Sequence, residues 1–348
     1  MRELKDKIYI SYLYDQNCKL VIKMSVPFIS IVIPVYNEEK NIGKCLDSLL
    51  NQNYPEDKYE IIVVDGNSED NTKKIVEKYT KKYSNIKILD NPERNTAVGR
   101  NIGIKNSKGD FILNFSGHAF AEKNLLSTLS KKLIDADKSI AGVGCRFETI
   151  TNNSISKGIH FVLTSKLGGF GTTFNQPEKE CFMDSIAFTL YRREIFDEVG
   201  LFDPDFWVGQ DGELNLRIRE KGYKLLYSPE TKVYHEKRDS FSSYSSQMFK
   251  YGVAAYKRIK KHKNSKIIYF MPSLTIISLL FFLLLSLFYK VFLYLILFYA
   301  LSYIIISLTY SIKSTIKEKN PRYLFITVPL YIITHFCYGI GFLYGVLK

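Results

Sequence analysis

The sequence predicts an α/β protein with a doubly wound, mostly parallel sheet, followed by a region of three transmembrane helices. Three observations carry that expectation. Short apolar runs alternate with amphipathic segments over the first half of the chain; the last quarter holds three long uncharged stretches; basic residues crowd the ends of those stretches.

The alternation begins at "FISIVIPVYNEEKNIGKCLDSLLNQ", where a continuous apolar run, a proline and a turn lead into a helix with Ile42, Cys45, Leu46, Leu49 and Leu50 on one face. "YEIIVVDGNSEDNTKKIVEKY" repeats strand, turn and helix, "IKILDN" is a third strand, "NTAVGRNIGIKNSKGD" is a helix stopped by Gly109, and "FILNFS" is a fourth strand. Strands apolar on both faces need a helical layer on each side, which is the parallel arrangement. Ligands of such sheets bind outside the carboxyl ends of the strands. Those ends carry Tyr36-Asn37-Glu38, Asp65-Gly66-Asn67 and Ser116-Gly117-His118. Past Ala141 the alternation fades into "LGGFGTTFNQPEKE", whose glycines suggest a mobile loop. Order returns with "DSIAFTLYRREIFDEVGLFDPDF" and with a helix over residues 210–221, closed by Gly222.

The membrane region follows from length. Residues 267–289, 291–312 and 323–347 hold no charged side chain and one histidine, His335, and each exceeds the ~20 residues that span a bilayer. Lys257, Arg258, Lys260, Lys261, Lys263 and Lys266 precede the first stretch, and Lys313, Lys317, Lys319 and Arg322 precede the third, whereas only Lys290 separates the first two. Basic loops stay on the cytoplasmic side, so a multi-pass protein of the cell membrane is expected, with its large domain inside, a tight hairpin outside and its C-terminus outside. Residues 1–30 lack the sustained apolar core of a signal peptide. The expected division is a lead-in over residues 1–27, a cytosolic domain over 28–257 and a membrane region over 258–348.

A net charge of +13 is explained by this orientation and by contact with anionic membrane lipids. No recognition-helix or RNP-like pattern accompanies it, so no nucleic-acid partner is expected. The five cysteines, Cys18, Cys45, Cys145, Cys181 and Cys337, show no C-x-x-C spacing, which argues against a zinc cluster or a disulfide frame.

Five blocks in register resemble the family 2 inverting glycosyltransferases of GT-A fold: "SIVIPVYNEEKNIGKCLDSLL", "EIIVVDGNSEDNT", "TAVGRNIGIKNSKGDFI", "DSIAFTLYRREIFDEVGLFDPDF" and "GQDGELNLRIREKGYK". The resemblance implies a nucleotide-diphosphate sugar donor, a UDP-sugar by preference. It places Pro34, Val35, Tyr36, Asn37, Glu38, Asp65 and Asn67 around the nucleotide, the acid at 65 reading the base edge, and Arg100 beside the diphosphate. An acidic residue after four apolar strand residues has little structural reason of its own. The family's Asp-x-Asp motif, whose last carboxylate holds Mn²⁺ or Mg²⁺ against the diphosphate, is here Ser116-Gly117-His118. "SGHA" is similar to the Asp-Ala-His-Ala of the succinoglycan-biosynthesis glucosyltransferases, which makes His118 the candidate metal ligand, and imidazole suits Mn²⁺ better than Mg²⁺.

An inverting displacement needs a general base facing the acceptor hydroxyl. The family's Glu-Asp motif corresponds to Gln210-Asp211, so Asp211 is the expected base, with Glu213 behind it as a second candidate. Asp184, Gln210, Gln247 and Lys250 are expected near the acceptor or the diphosphate; "QMFKYG" departs from the Gln-x-x-Arg-Trp of processive synthases, which speaks against processive synthesis. Membrane helices beside the site suggest a lipid-linked or saccharide acceptor. The alternatives are a polyprenyl-phosphate monoglycosyltransferase and, from the losses at Ser116 and Gln210, a catalytically impaired nucleotide-sugar-binding scaffold.

Overall fold

The computed structural model describes residues 26–169, 176–236, 238–262 and 268–348, together with the backbone of residues 10–14, 20–24 and 267. Cys18, Lys263, Lys266 and the centre of the Gly-rich segment, 170–175, lie outside the described residues.

The lead-in forms an antiparallel hairpin, β1 (Ile10–Tyr14) and β2 (Leu20–Met24). The domain then builds β3 (Ile29–Val35), α1 (Ile42–Leu50), β4 (Tyr59–Asp65), α2 (Thr72–Lys82), β5 (Ile86–Asp90), α3 (Thr96–Lys105) and β6 (Phe111–Asn114), as the alternating pattern requires. β5, β4, β3 and β6 are adjacent and parallel. Ile29, Ile31 and Ile33 point into one core layer with Leu46, Leu49 and Leu129, while Val32 points to the other with Ile104, Ile112 and Leu214. Both faces of β3 are therefore dry, as its unbroken apolar run predicts.

The second half departs from the parallel expectation. β7 (Ala119–Ala121), α4 (Leu125–Asp135), β8 (Ile140–Ile150), α5 (Ser154–Thr164), β9 (Cys181–Phe182), β10 (Thr189–Arg192), α6 (Glu194–Val199), α7 (Gln210–Glu220) and β11 (Lys224–Glu236) complete the domain. β10 runs antiparallel to both β6 and β8, and β11 pairs parallel with β8 but antiparallel with β7 and β9. The sheet is mixed, in the order β5-β4-β3-β6-β10-β8-β11-β7, with β9 on β11. Apolarity reports that a strand is buried, not which way it runs, so this half was not readable from its pattern.

Three long apolar helices follow α8 (Phe241–Lys261): α9 (Met271–Ser286), α10 (Lys290–Glu318) and α11 (Arg322–Leu347). α9 and α10 are almost bare along their lengths, with Leu280, Phe298 and Ile316 among the most exposed apolar residues. α11 differs. It buries Ile326, Leu330, Tyr331 and Phe342 on one side, against α5 and α8.

The α8–α11 contact is backbone to backbone. A Cβ on Gly252 would stand 2.0 Å from the Tyr338 carbonyl oxygen, and one on Gly341 would stand 2.0 Å from that of Phe249. Only glycine fits at either place, and the Tyr244 hydroxyl shares a 2.8 Å hydrogen bond with Thr334 Oγ1 across the same contact. Gly252→Val should lower stability by about 1–3 kcal/mol, the usual cost of forcing atoms into a packed contact. Thermal unfolding of the detergent-solubilised full chain measures this, with Gly43→Val as a control, since the nearest atom to a Cβ there, the Tyr79 hydroxyl oxygen, is at an ordinary 3.7 Å.

Candidate active site

The loops after β3 and β4 are knitted together before any ligand arrives. Asn37 and Asn67 both adopt left-handed backbone, φ 54° and 57°, which asparagine tolerates better than most residues. The Asn37 amide donates to Ser68 Oγ (3.0 Å), and the Glu69 amide donates to Asn37 Oδ1 (2.8 Å). Asp65 is 1% exposed, and its carboxylate accepts from the Ser68 hydroxyl (2.6 Å) and amide (3.1 Å). Pro34 and Val35 complete strand β3 beneath this loop. Tyr36 stands out from it with the Arg94 guanidinium 5.4 Å from its ring centre.

A cleft of about 1090 Å³ opens at the carboxyl ends of β3 and β6. Tyr36, Asn37, Glu38, Ser116 and His118 line it, together with Arg100, Asn114, Asp211 and His235. Asp65, Asn67 and Gly117 are not on its wall. Gly117 packs behind it, where a Cβ would stand 2.9 Å from Val35 Cγ1.

His118 is the centre of a relay. Its Nδ1 lies 2.7 Å from Glu38 Oε1, so that nitrogen carries the proton the carboxylate accepts. Its Nε2 faces the Nε2 of His235 at 3.1 Å, the two rings meeting edge to face. Ser116 Oγ is 3.2 Å from the same nitrogen, and the neutral Cys45 thiol, its pKa pushed up by burial and by Glu38, donates to the Ser116 carbonyl (3.4 Å). His235 was missed in the sequence, because it lies on β11, 117 residues from its partner. Its one signal is "KVYHEK" at the end of an apolar strand.

Two imidazole nitrogens converging at 3.1 Å, one of them backed by a carboxylate, are a donor pair suited to a transition cation such as Mn²⁺. Among the described residues no group of three or more His, Cys, Asp or Glu side chains converges on one point.

On the same cleft wall, Arg100 Nη1 donates to Asp211 Oδ1 at 2.7 Å, with the guanidinium over the Phe202 ring. Among the described residues Asp211 Oδ2 has no partner. Asn114, 4% exposed at the end of β6, has neither amide atom hydrogen-bonded. Such a group costs about 1–3 kcal/mol unless something completes it, and no sequence signal marks it.

Glu213 does not reach the cleft. It is 1% exposed, held by Arg217 (2.7 Å) and by His262 Nε2 (3.1 Å), where it ties α7 to the end of α8. Two residues along a helix turn a side chain by about 200°, so positions 211 and 213 face opposite ways. Gln210 is also off the cleft wall, its amide near the Trp207 carbonyl (3.4 Å). Asp184 and Gln247 line the cleft, Asp184 beside Arg219 (3.5 Å) and Gln247 donating to the Tyr251 hydroxyl (3.2 Å). Lys250 is exposed and does not line it.

A cleft at the carboxyl edge of a mixed α/β sheet, with His118, His235, Arg100 and Asp211 on its wall, has the architecture of the GT-A glycosyltransferases. Comparison with known proteins agrees: residues 30–200 match glycosyl transferase family 2, and residues 140–344 match glycosyl transferase family group 2. The chain belongs to family 2 and is a membrane-anchored glycosyltransferase. It is 32% identical, over 92% of its length and 98% of the relative's, to the dolichyl N-acetyl-alpha-D-glucosaminyl phosphate 3-beta-D-2,3-diacetamido-2,3-dideoxy-beta-D-glucuronosyltransferase of Methanococcus voltae. Succinoglycan biosynthesis protein ExoA of Rhizobium meliloti is 25% identical over 67% of this chain and 70% of its own. Among solved structures, the mannosyltransferase PcManGT of Pyrobaculum calidifontis, in complex with GDP-Man and Mn²⁺, shares the fold with a TM-score of 0.52 at 20% identity, over 68% of this chain and 64% of that one.

Proposed function

We propose that the protein transfers a sugar, with inversion, from a nucleoside-diphosphate sugar to an acceptor carried on a polyprenyl phosphate. The observation that carries this is the continuity of one cleft from the His118–His235 pair, past Asp211, to Tyr269 and Tyr338 at the membrane-proximal helices. The full-length similarity to a dolichyl-phosphate-dependent transferase supports the acceptor class. Tyr36, Asn37 and Glu38 border the nucleotide, and the diphosphate lies toward His118 and His235. A Mn²⁺ ion held by those two nitrogens would neutralise charge building on the departing diphosphate. Glu38 holds His118 in the tautomer that turns a lone pair inward. Asn114 offers one donor and one acceptor to the transferred sugar. Asp211, kept in place by Arg100, takes the proton from the acceptor hydroxyl through its free Oδ2. Incubating the purified chain with UDP-glucose, UDP-N-acetylglucosamine and GDP-mannose, a polyprenyl phosphate that already carries N-acetylglucosamine as acceptor, and Mn²⁺ tests the reading. A labelled lipid product is expected, and hydrolysis without transfer to lipid would sink it.

For the membrane region, packing favours a different path from three spans with the C-terminus outside. α11 lies along α8 from Tyr244 and Thr334 to Tyr256 and Gly345, and α8 carries Lys250, Lys257, Lys260 and Lys261. Lys257 donates to the Asp205 carbonyl and Lys261 pairs with Asp203, both in the catalytic domain. A crossing by α11 would draw those charges into hydrocarbon at roughly 2.5–3.5 kcal/mol each. Phe325, Ile332, Phe336, Ile340 and Tyr344 form its exposed stripe, which suits the lipid boundary. In this reading α9 and α10 cross the bilayer as a hairpin, and α11 lies against the domain at the cytoplasmic face. A C-terminal green fluorescent protein fusion should then fluoresce and a C-terminal alkaline phosphatase fusion should be inactive. The opposite pair of results restores three spans.

A further inference from the structure

We propose that Asn114 selects the donor sugar, reading two adjacent polar groups of the transferred ring, one that donates a hydrogen bond to it and one that accepts from it. A pair of neighbouring hydroxyls and an acetamido group both present that combination. The inference rests on the donor class proposed above and names the chemistry that its sugar subsite recognises.

Asn114 interrupts a dry strand. Phe111, Ile112 and Leu113 before it and Phe115 after it are buried and apolar. Ile112 packs in the layer that holds residues of α3 and α7 and Leu113 packs in the other layer, so alternation turns Asn114 toward α3 and α7. α3 lies close to the sheet there: a Cβ on Gly103 would stand 2.3 Å from Val32 Cγ1, and Val32 is the partner of Asn114 across β3 and β6. Arg100 is three residues before Gly103, hence on the same side of α3, and it holds Asp211 of α7 at 2.7 Å. Asn114, Arg100 and Asp211 all line the cleft.

The polar groups of the neighbouring elements are bonded to one another. Arg100 Nη1 donates to Asp211, the Tyr191 hydroxyl donates to Asn215 Oδ1 (2.7 Å), and the Thr189 hydroxyl donates to the Ile186 carbonyl (3.0 Å). Among the described residues neither atom of the Asn114 amide has a partner, in a side chain on a residue only 4% exposed, and the buried Nε of Arg100 has none either. An apolar residue of the same shape would fill this place without that penalty, so the amide is destabilising until a ligand completes it. The ligand must both donate and accept. An ionised phosphate or carboxylate only accepts, which excludes the diphosphate as the partner of both amide atoms and leaves the neutral groups of the sugar.

The test is calorimetry on the detergent-solubilised full chain with Mn²⁺, titrating UDP-glucose, UDP-N-acetylglucosamine and GDP-mannose, with UDP and GDP as references that lack the sugar. Asn114→Leu, close to asparagine in shape, should weaken the sugar nucleotide that the wild type binds best by about 10- to 100-fold, the worth of two hydrogen bonds, and change the matching free nucleotide by less than about twofold. Its melting temperature should equal or exceed that of the wild type, because no bond of the resting fold is lost. If the partner is an acetamido group, UDP-N-acetylglucosamine binds the wild type at least about 10-fold more tightly than UDP-glucose, and Asn114→Leu removes the difference. If it is a hydroxyl pair, Asn114→Leu weakens both alike.

Unchanged sugar-nucleotide affinity in Asn114→Leu overturns the assignment, as does an equal loss for the free nucleotide. A lower melting temperature or failure to fold overturns it too, since the amide would then have a structural partner. Wild type that binds none of the three sugar nucleotides sinks the donor class and this inference together. Binding needs no acceptor, so a chain that holds a sugar nucleotide through Asn114 yet labels no lipid refutes the proposed transfer alone.

Discussion

Asp211→Asn is expected to lower the transfer rate by about 10²- to 10⁴-fold, the range a general base contributes, with donor affinity unchanged within about twofold. The substitution keeps the shape of the side chain and removes the capacity to take a proton. Asn can still accept from Arg100 through its amide oxygen, so the 2.7 Å contact that joins α3 to α7 is retained in part. Donor binding by calorimetry, set against initial rates of transfer to lipid, separates chemistry from folding. Arg100→Gln supplies the comparison. If Asp211 mattered only as the partner of Arg100, both variants would lose activity alike; as a base, Asp211→Asn loses far more. Full turnover by Asp211→Asn would remove it from the mechanism, and the buried pairing of Glu213 means no neighbouring carboxylate on α7 stands ready to replace it.

The N-terminal half of the fold was legible because each strand is apolar on both faces and each loop after it carries polar residues that the strand could not bury. Strand ends placed Glu38 and His118, the family resemblance placed Asp211, and the structure brings all three to one cleft. It failed where position depends on direction. Glu213 was readable as off-site from helix geometry, since it faces away from Asp211. Asp65 stands at the expected strand end, yet its carboxylate is folded into the Ser68 turn, a local hydrogen-bonding choice that a strand pattern does not encode. His235 and Asn114 could not be found at all, because convergence across the sheet is decided by strand order, and the order β6-β10-β8-β11 has no signature in a single sequence. α11 shows the same limit at larger scale. Length and apolarity mark it as a candidate span, but glycines at 252 and 341, unremarkable in the sequence, set its face against α8.

The second large effect concerns the His118–His235 pair. His118→Ala and His235→Ala are each expected to weaken Mn²⁺ binding in the presence of UDP by roughly 100-fold or more, above the 10- to 100-fold that loss of an outer hydrogen-bonding partner costs. Glu38→Gln falls in that lower range, since the amide can still accept from His118 Nδ1 but no longer as a carboxylate. Electron paramagnetic resonance of added Mn²⁺ reads the affinity directly, without requiring turnover. Transfer should fall in the same order, the two alanine variants below Glu38→Gln. The pattern matters more than any one value, because a structural role for the relay would lower the melting temperature of all three variants and leave their Mn²⁺ affinity equal to that of the wild type. If EDTA-treated wild type transfers at full rate while the histidine variants stay slow, the convergence of the two Nε2 atoms serves the phosphates directly, with one imidazole donating to the departing oxygen. In that outcome Glu38→Gln, which loosens the Nδ1 proton, still slows transfer while added Mn²⁺ restores nothing.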